Sequence, residues 1–187
     1  STLGWFHDPM LNTLIHRPTA DLAGLMFHEL AHQQIYVRDD STFNESFATA
    51  VELEGARRWL SAHGTPGQLN DYLAGKHAQA RFGELVMRYR ARLAELYASV
   101  QTDEHKRAAK AELFSELRAD YEKQKTQGGG HEYARWFERD LNNARLVPFG
   151  VYRQHLAAFQ ALLARENGDL AAFYRAVQQL AQLPRDR

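Results

Sequence analysis

The chain has 187 residues, with 23 Lys plus Arg against 23 Asp plus Glu and no cysteine. That length suits one domain with a substantial core, and the charge balance leaves no basic field to attract nucleic acid or an anionic membrane. The lack of cysteine excludes disulfides, thiol nucleophiles and thiolate-bound metal, and no run approaches the roughly eighteen apolar residues of a membrane helix.

No secretory pattern opens the chain. It begins with Ser1 rather than Met, so an upstream segment, with any targeting signal, is expected to have been removed. Residues 1–18 carry Gly4, Pro9 and Pro18 and no helical period, which predicts extended segments and turns. Such a segment could be an edge that pairs with a substrate backbone, or a leader strapped to the core by Trp5 and Phe6. Thr19, after Pro18, suits the N-cap of a helix running to about Gln34.

Within that helix stands Phe27-His28-Glu29-Leu30-Ala31-His32-Gln33. Residues four apart share a helix face, so both imidazoles can reach one metal ion. Glu29 lies about 100° round the helix, placed to act on an activated water without being a ligand. Leu22, Leu25, Met26 and Leu30 on one arc, with Ala23, Phe27, Ala31 and Ile35 on another, predict a helix buried in the core. Polar groups there are costly unless something satisfies them, and a metal does so. The plainer alternative is a pair of surface histidines beside a glutamate.

Ile35-Tyr36-Val37 reads as a short strand, and Arg38 to Thr42 as a polar turn. A second helix is expected over about Phe43 to Ala62, with Phe47, Val51 and Trp59 on one side and Gly64 ending it. A catalytic zinc takes three protein ligands and keeps a fourth position open, so a His, Asp or Glu is needed from somewhere beyond the first helix. Glu45 and Glu52 are the candidates. Seven residues apart, they share nearly one face but sit about 10 Å apart along the axis, so both cannot hold one ion.

From about Pro66 to Val100 a helix is expected through Phe82, Leu85, Tyr89, Leu93, Leu96 and Val100. A second, over about Asp103 to Gln127, runs through Leu113, Phe114, Leu117 and Tyr121. Together they predict an antiparallel hairpin, serving as a partner-binding arm, a wall of the substrate cleft, or a solvated helical pair packed on the core. Gly128-Gly129-Gly130 is a flexible joint or a lid hinge. Helices over Tyr152 to Ala164 and Asp169 to Leu183, separated by Gly168, present Leu156, Phe159, Leu163, Phe173, Val177 and Leu180 as core.

The motifs His28-Glu29-Leu30-Ala31-His32-Gln33 and Asn44-Glu45-Ser46-Phe47-Ala48 resemble those of gluzincin peptidases, notably the aminopeptidase N type with HELAHQ and N-E-G-F-A. This implies a mainly α, zincin-like fold with a short strand or extended edge and a long helical hairpin. It also implies a Zn2+ ion on His28, His32 and Glu45, with Asn44 supporting them and Glu29 as general base. Twelve residues separate His32 from Glu45, fewer than in aminopeptidase N and thermolysin types. Where thermolysin types carry an aspartate that orients a ligand histidine, this chain has Thr49.

The wider pattern, Ser1-Thr2-Leu3-Gly4-Trp5-Phe6-His7-Asp8-Pro9, Phe43-Asn44-Glu45-Ser46-Phe47-Ala48 and Leu141-Asn142-Asn143-Ala144-Arg145-Leu146, is similar to that of the bacterial predicted aminopeptidases. By length the chain is a single domain over 1–187, and this likeness implies that it is the C-terminal portion of a longer protein. Its parts would be a metal-binding core at 1–65, the hairpin at 66–127 and a helical part at 128–187. It further implies a peptide or protein substrate and a bacterial cell-envelope or periplasmic location, with a lipoprotein-type anchor on the preceding segment. In gluzincins a Tyr or His from the C-terminal part stabilises the oxyanion, which makes Tyr152 and Tyr133 candidates, then His131. The glycine-rich segment that holds a substrate's ammonium in aminopeptidase N types has no counterpart here, and Asp8 and Glu52 are stand-ins. The expected activity is zinc-dependent aminopeptidase, with a zinc endopeptidase or a helical interaction module bearing a residual metal site as alternatives.

Overall fold

A computed structural model of the protein describes residues 18–126, 133–150 and 155–183, with the side chains of 148–150 left aside. Seven α-helices and no strand occur among these residues. They form two compact units. One joins residues up to Leu69 with those from 155 onward, and the other spans 70–150.

The first unit is built round two helices, α1 (Thr19–Gln34) and α2 (Ser41–His63). Pro18, not Thr19, caps α1. The carbonyl of Pro18 accepts from Asp21 N and Leu22 N, and no side chain caps the end. A proline suits this place because it has no N–H to leave unpaired. Contrary to the expectation of a helix buried all round, only Gly24 and Ala31 of α1 are fully buried, while Met26 and Leu30 are 53% and 50% exposed. The helix packs by Ala31 and Phe27, while Met26 and Leu30 fall on other faces.

α2 is the central element. The Asp40 carboxylate caps it by accepting from Phe43 N at 2.9 Å, which relieves one of the unpaired N–H groups of the first turn. Residues 46–51 are buried in succession, so this part of the helix is covered on every side. Phe47 touches the ring of Phe159 on α6 (Leu156–Arg165), and the rings of Phe173 and Tyr174 on α7 (Leu170–Ala181), at centroid distances of 5.5–6.0 Å. Gly168, at φ +75, turns the chain between α6 and α7, a conformation that favours glycine. Asp169 then caps α7 by accepting from Ala171 N and Ala172 N.

Residues 35–37 are not a strand. Ile35 has extended angles, but the partner of this stretch is a side chain: Val37 N donates to Asn44 Oδ1, and Asn44 Nδ2 donates to Val37 O, both at 2.8 Å. Asn44 thus supplies the paired donor and acceptor that a neighbouring strand would have offered, and it closes the short connection between α1 and α2.

The second unit contains most of α3 (Pro66–Ala98) and all of α4 (Asp103–Thr126). Arg92 meets Glu116 at 2.5 Å, while Tyr89 Oη donates to Asp120 at 2.8 Å and Arg88 lies 3.4 Å from it. The pairing advances along one helix as it retreats along the other, so the hairpin is antiparallel. Phe82, Leu85, Val86, Tyr89 and Leu93 face Leu113, Phe114, Leu117 and Tyr121 in a core of their own. The short α5 (Ala134–Phe137) and a 3-10 segment, Asn143–Gly150, complete it. Phe137 and Leu146 are buried there.

Candidate metal centre

α1 and α2 run close enough for Phe27 to lie over Gly55. A methyl group on Gly55 would sit 2.5 Å from Phe27 Cγ, so only glycine admits the ring there. The next residue along α1 is His28, and the face of α2 opposite it carries Glu45 and Glu52. Close packing at Gly55 therefore places donor atoms of two helices side by side.

His28 Nε2 is 3.2 Å from His32 Nε2 and 3.3 Å from Glu45 Oε2, and His32 Nε2 is 3.7 Å from Glu45 Oε1. Ligand bonds of about 2.0–2.1 Å in tetrahedral array separate donors by roughly 3.3–3.4 Å, so these three groups suit a zinc-sized ion. Among the described residues they are the one His, Asp and Glu cluster that could hold a metal ion. All three are partly buried.

Glu52 has a different place. His28 Nδ1 donates to Glu52 Oε2 at 3.1 Å, on the opposite edge of the ring from Glu45. It is therefore neither the third donor nor a free carboxylate for a substrate's ammonium. It fixes the ring so that Nε2 faces His32 and Glu45, the service that an outer carboxylate gives a metal-bound histidine. Thr49, where thermolysin types carry aspartate, is buried. The orienting bond comes three residues later along α2. His32 has no such support, since its Nδ1 is buried without a hydrogen-bond partner among the described residues.

Electrostatics follow from this arrangement. Burial lowers the basicity of His28, but hydrogen bonds to Glu45 and Glu52, with the charges of both, outweigh it and hold the pKa at about 9 against an ordinary 6.5. Burial and the positive His28 lower that of His32. The hydrogen bond from His28 keeps the Glu45 carboxyl below its usual range. Without metal, the pocket binds a proton between two carboxylates. By charge as well as by spacing, the three groups could hold a cation. Glu29 is partly buried beside it, and its charge acts on His32.

The family model described as Putative aminopeptidase matches residues 1–187. The chain belongs to this family. No curated protein and no solved structure matches it.

Of the other residues singled out in the sequence, Tyr152, His131 and Asp8 lie outside the described residues, as do the opening segment up to residue 17 and the three glycines. Tyr133 belongs to the second unit, where it stacks on Phe82 with centroids 4.2 Å apart. The Leu141–Leu146 motif of the family is spent on internal contacts of that unit. Asn143 bonds with Tyr97 Oη, the Arg145 guanidinium lies 4.9 Å over the ring of Trp136, and Leu146 is buried. No described helix is long and apolar enough to cross a membrane.

Proposed function

We propose that the protein is a zinc metallopeptidase, an aminopeptidase in keeping with its family, whose ion is held by His28, His32 and Glu45. The observation that carries this reading is the convergence of three donor atoms at 3.2–3.7 Å beside a glutamate that is not itself one of them. When bound, zinc supplies Lewis acidity toward a water molecule and a peptide carbonyl. Glu29 takes the proton of the attacking water and hands it to the departing amine. Glu52 holds the His28 ring in register throughout. Tyr152 is the proposed donor to the oxyanion.

Metal analysis of the purified protein and of His28→Ala tests the first half: zinc should be near one equivalent in the former and largely lost in the latter. Equal zinc in both proteins would refute the site. Glu29→Gln should keep its zinc and lose at least about 99% of hydrolysis of amino-acid amides, on the scale of general-base contributions of roughly 10²–10⁴-fold. Acetylating the substrate's amine should abolish cleavage. Undiminished cleavage would assign an endopeptidase instead.

A further inference from the structure

A cleft of about 530 Å³ opens in the second unit between the outer side of α4 and the segment at Asp140–Leu141, a size within the range of small-molecule sites. Arg107, Lys110, Phe114 and Arg118 follow one another along α4 at spacings of three and four, which puts them on one stripe. Phe114 is buried and Leu141 partly so, and they give the cleft an apolar floor. Lys110 Nζ stands 5.8 Å from the Phe114 ring centroid.

The charges on this stripe are used unequally. Arg118 is engaged, donating to Phe137 O at 2.5 Å and to Arg139 O. Arg107 and Lys110 make no ion pair among the described residues, whereas Arg88, Arg92, Lys123 and Lys125 of the same hairpin each meet a carboxylate within 4.0 Å. Two unpaired cations at one end of an apolar floor, with the Asp140 carboxylate on the other wall, form an asymmetric site.

From this we infer that the cleft binds the C-terminal residue of a short peptide whose last side chain is apolar. The terminal carboxylate pairs with Arg107 and Lys110, the side chain rests on Phe114 and Leu141, and the last amide N–H donates to Asp140. Each of the three features of a terminal residue has its counterpart. Asp140 repels any anion, but a phosphate ester or a simple acyl carboxylate has no N–H to offer it. The inference is independent of the metal reading.

Calorimetric titration of the full chain, in a Glu29→Gln background that removes turnover, tests it with acetyl-Ala-Ala-Leu as free acid, the same peptide as its C-terminal amide, and octanoate. The free acid should bind with a Kd of about 1 mM or tighter, the amide about tenfold or more weakly. The double variant Arg107→Gln/Lys110→Gln, which changes two side chains on the solvent side of a helix, should show the same weakening with an unaltered circular dichroism spectrum. Asp140→Asn should weaken the peptide and leave octanoate unaffected. Equal binding of acid and amide overturns the proposal, as does full binding by the double variant or no binding of the free acid at millimolar concentration. Octanoate binding as tightly as the peptide would reassign the site to acyl carboxylates.

Discussion

Glu52 is the residue at which sequence and structure part most usefully. Its spacing of two helical turns from Glu45 was legible, but that spacing alone left open whether it competes for the ion or serves something else. The answer depends on which ring nitrogen of His28 each carboxylate of α2 meets, and only helix packing sets that. Because Glu52 holds Nδ1 and leaves Nε2 to the donors, Glu52→Ala should weaken zinc binding by roughly 10–100-fold, the usual cost of losing an outer partner. Glu52→Gln, which keeps an acceptor but no charge, should fall between. Competition against a chromophoric chelator measures both. The same carboxylates predict a pH effect. Without metal, the pKa of His28 is raised from 6.5 to about 9, so its charge adds stability that is complete below about pH 6.5 and is lost as pH rises through about 9. The metal-free protein should therefore lose Tm between pH 7 and 10, and Glu45→Gln/Glu52→Gln should flatten that decline. A double variant with the same slope as the parent would show that His28 is not held charged.

At the scale of elements, the helices are readable because period, caps and breakers agree: Gly64, Gly168 and Asp169 mark ends that the structure keeps, while the cap of α1 falls at Pro18, one residue before the expected Thr19. The stretch 35–37 reads as a strand because an extended, apolar triplet is the same signal whether its partner is a strand or a side chain. Asn44 is that partner, and Asn44→Ala removes two hydrogen bonds while leaving Val37 N and O to find others. Both bonds are part-buried, so the cost should be about 1–3 kcal/mol by denaturant titration, at roughly 0.5–1.5 for each hydrogen bond lost. The burial of α1 is not legible in its apolar side chains, which show only which faces could be covered, whereas close approach turns on small residues such as Ala31 and Gly55. Gly55→Ala forces the Phe27 ring away from α2. Overpacking of this kind costs about 1–3 kcal/mol, and because His28 follows Phe27 the variant should also bind zinc more weakly. Unchanged affinity in a destabilised Gly55→Ala protein would separate the packing of α1 from the metal centre.

On the scale of the whole molecule, one property lies beyond a reading along the chain: the unit that holds all the proposed metal donors is assembled from both ends of it. Phe47, two residues after Glu45, is completely buried by Phe159, Phe173 and Tyr174, more than a hundred residues away in sequence. Ser46 Oγ accepts from His155 N at 3.2 Å, and the guanidinium of Arg58 donates to Gly168 O. Periodicity shows that α6 and α7 have apolar faces but not which helix those faces meet. Leu156, Phe159, Phe173 and Val177, all buried, are worth about 1.5–3 kcal/mol each, together comparable with the ~5–15 kcal/mol that stabilises a typical domain. A variant ending at Gly150 retains His28, Glu29, His32, Glu45 and Glu52, yet it should bind less than a tenth of the zinc of the full chain and lose its cooperative unfolding transition in the first unit. The hairpin keeps its own core in that variant, so helical circular dichroism should fall only in part. Stoichiometric zinc in the shortened protein would mean that α1 and α2 hold the centre unaided, and that α6 and α7 serve another purpose.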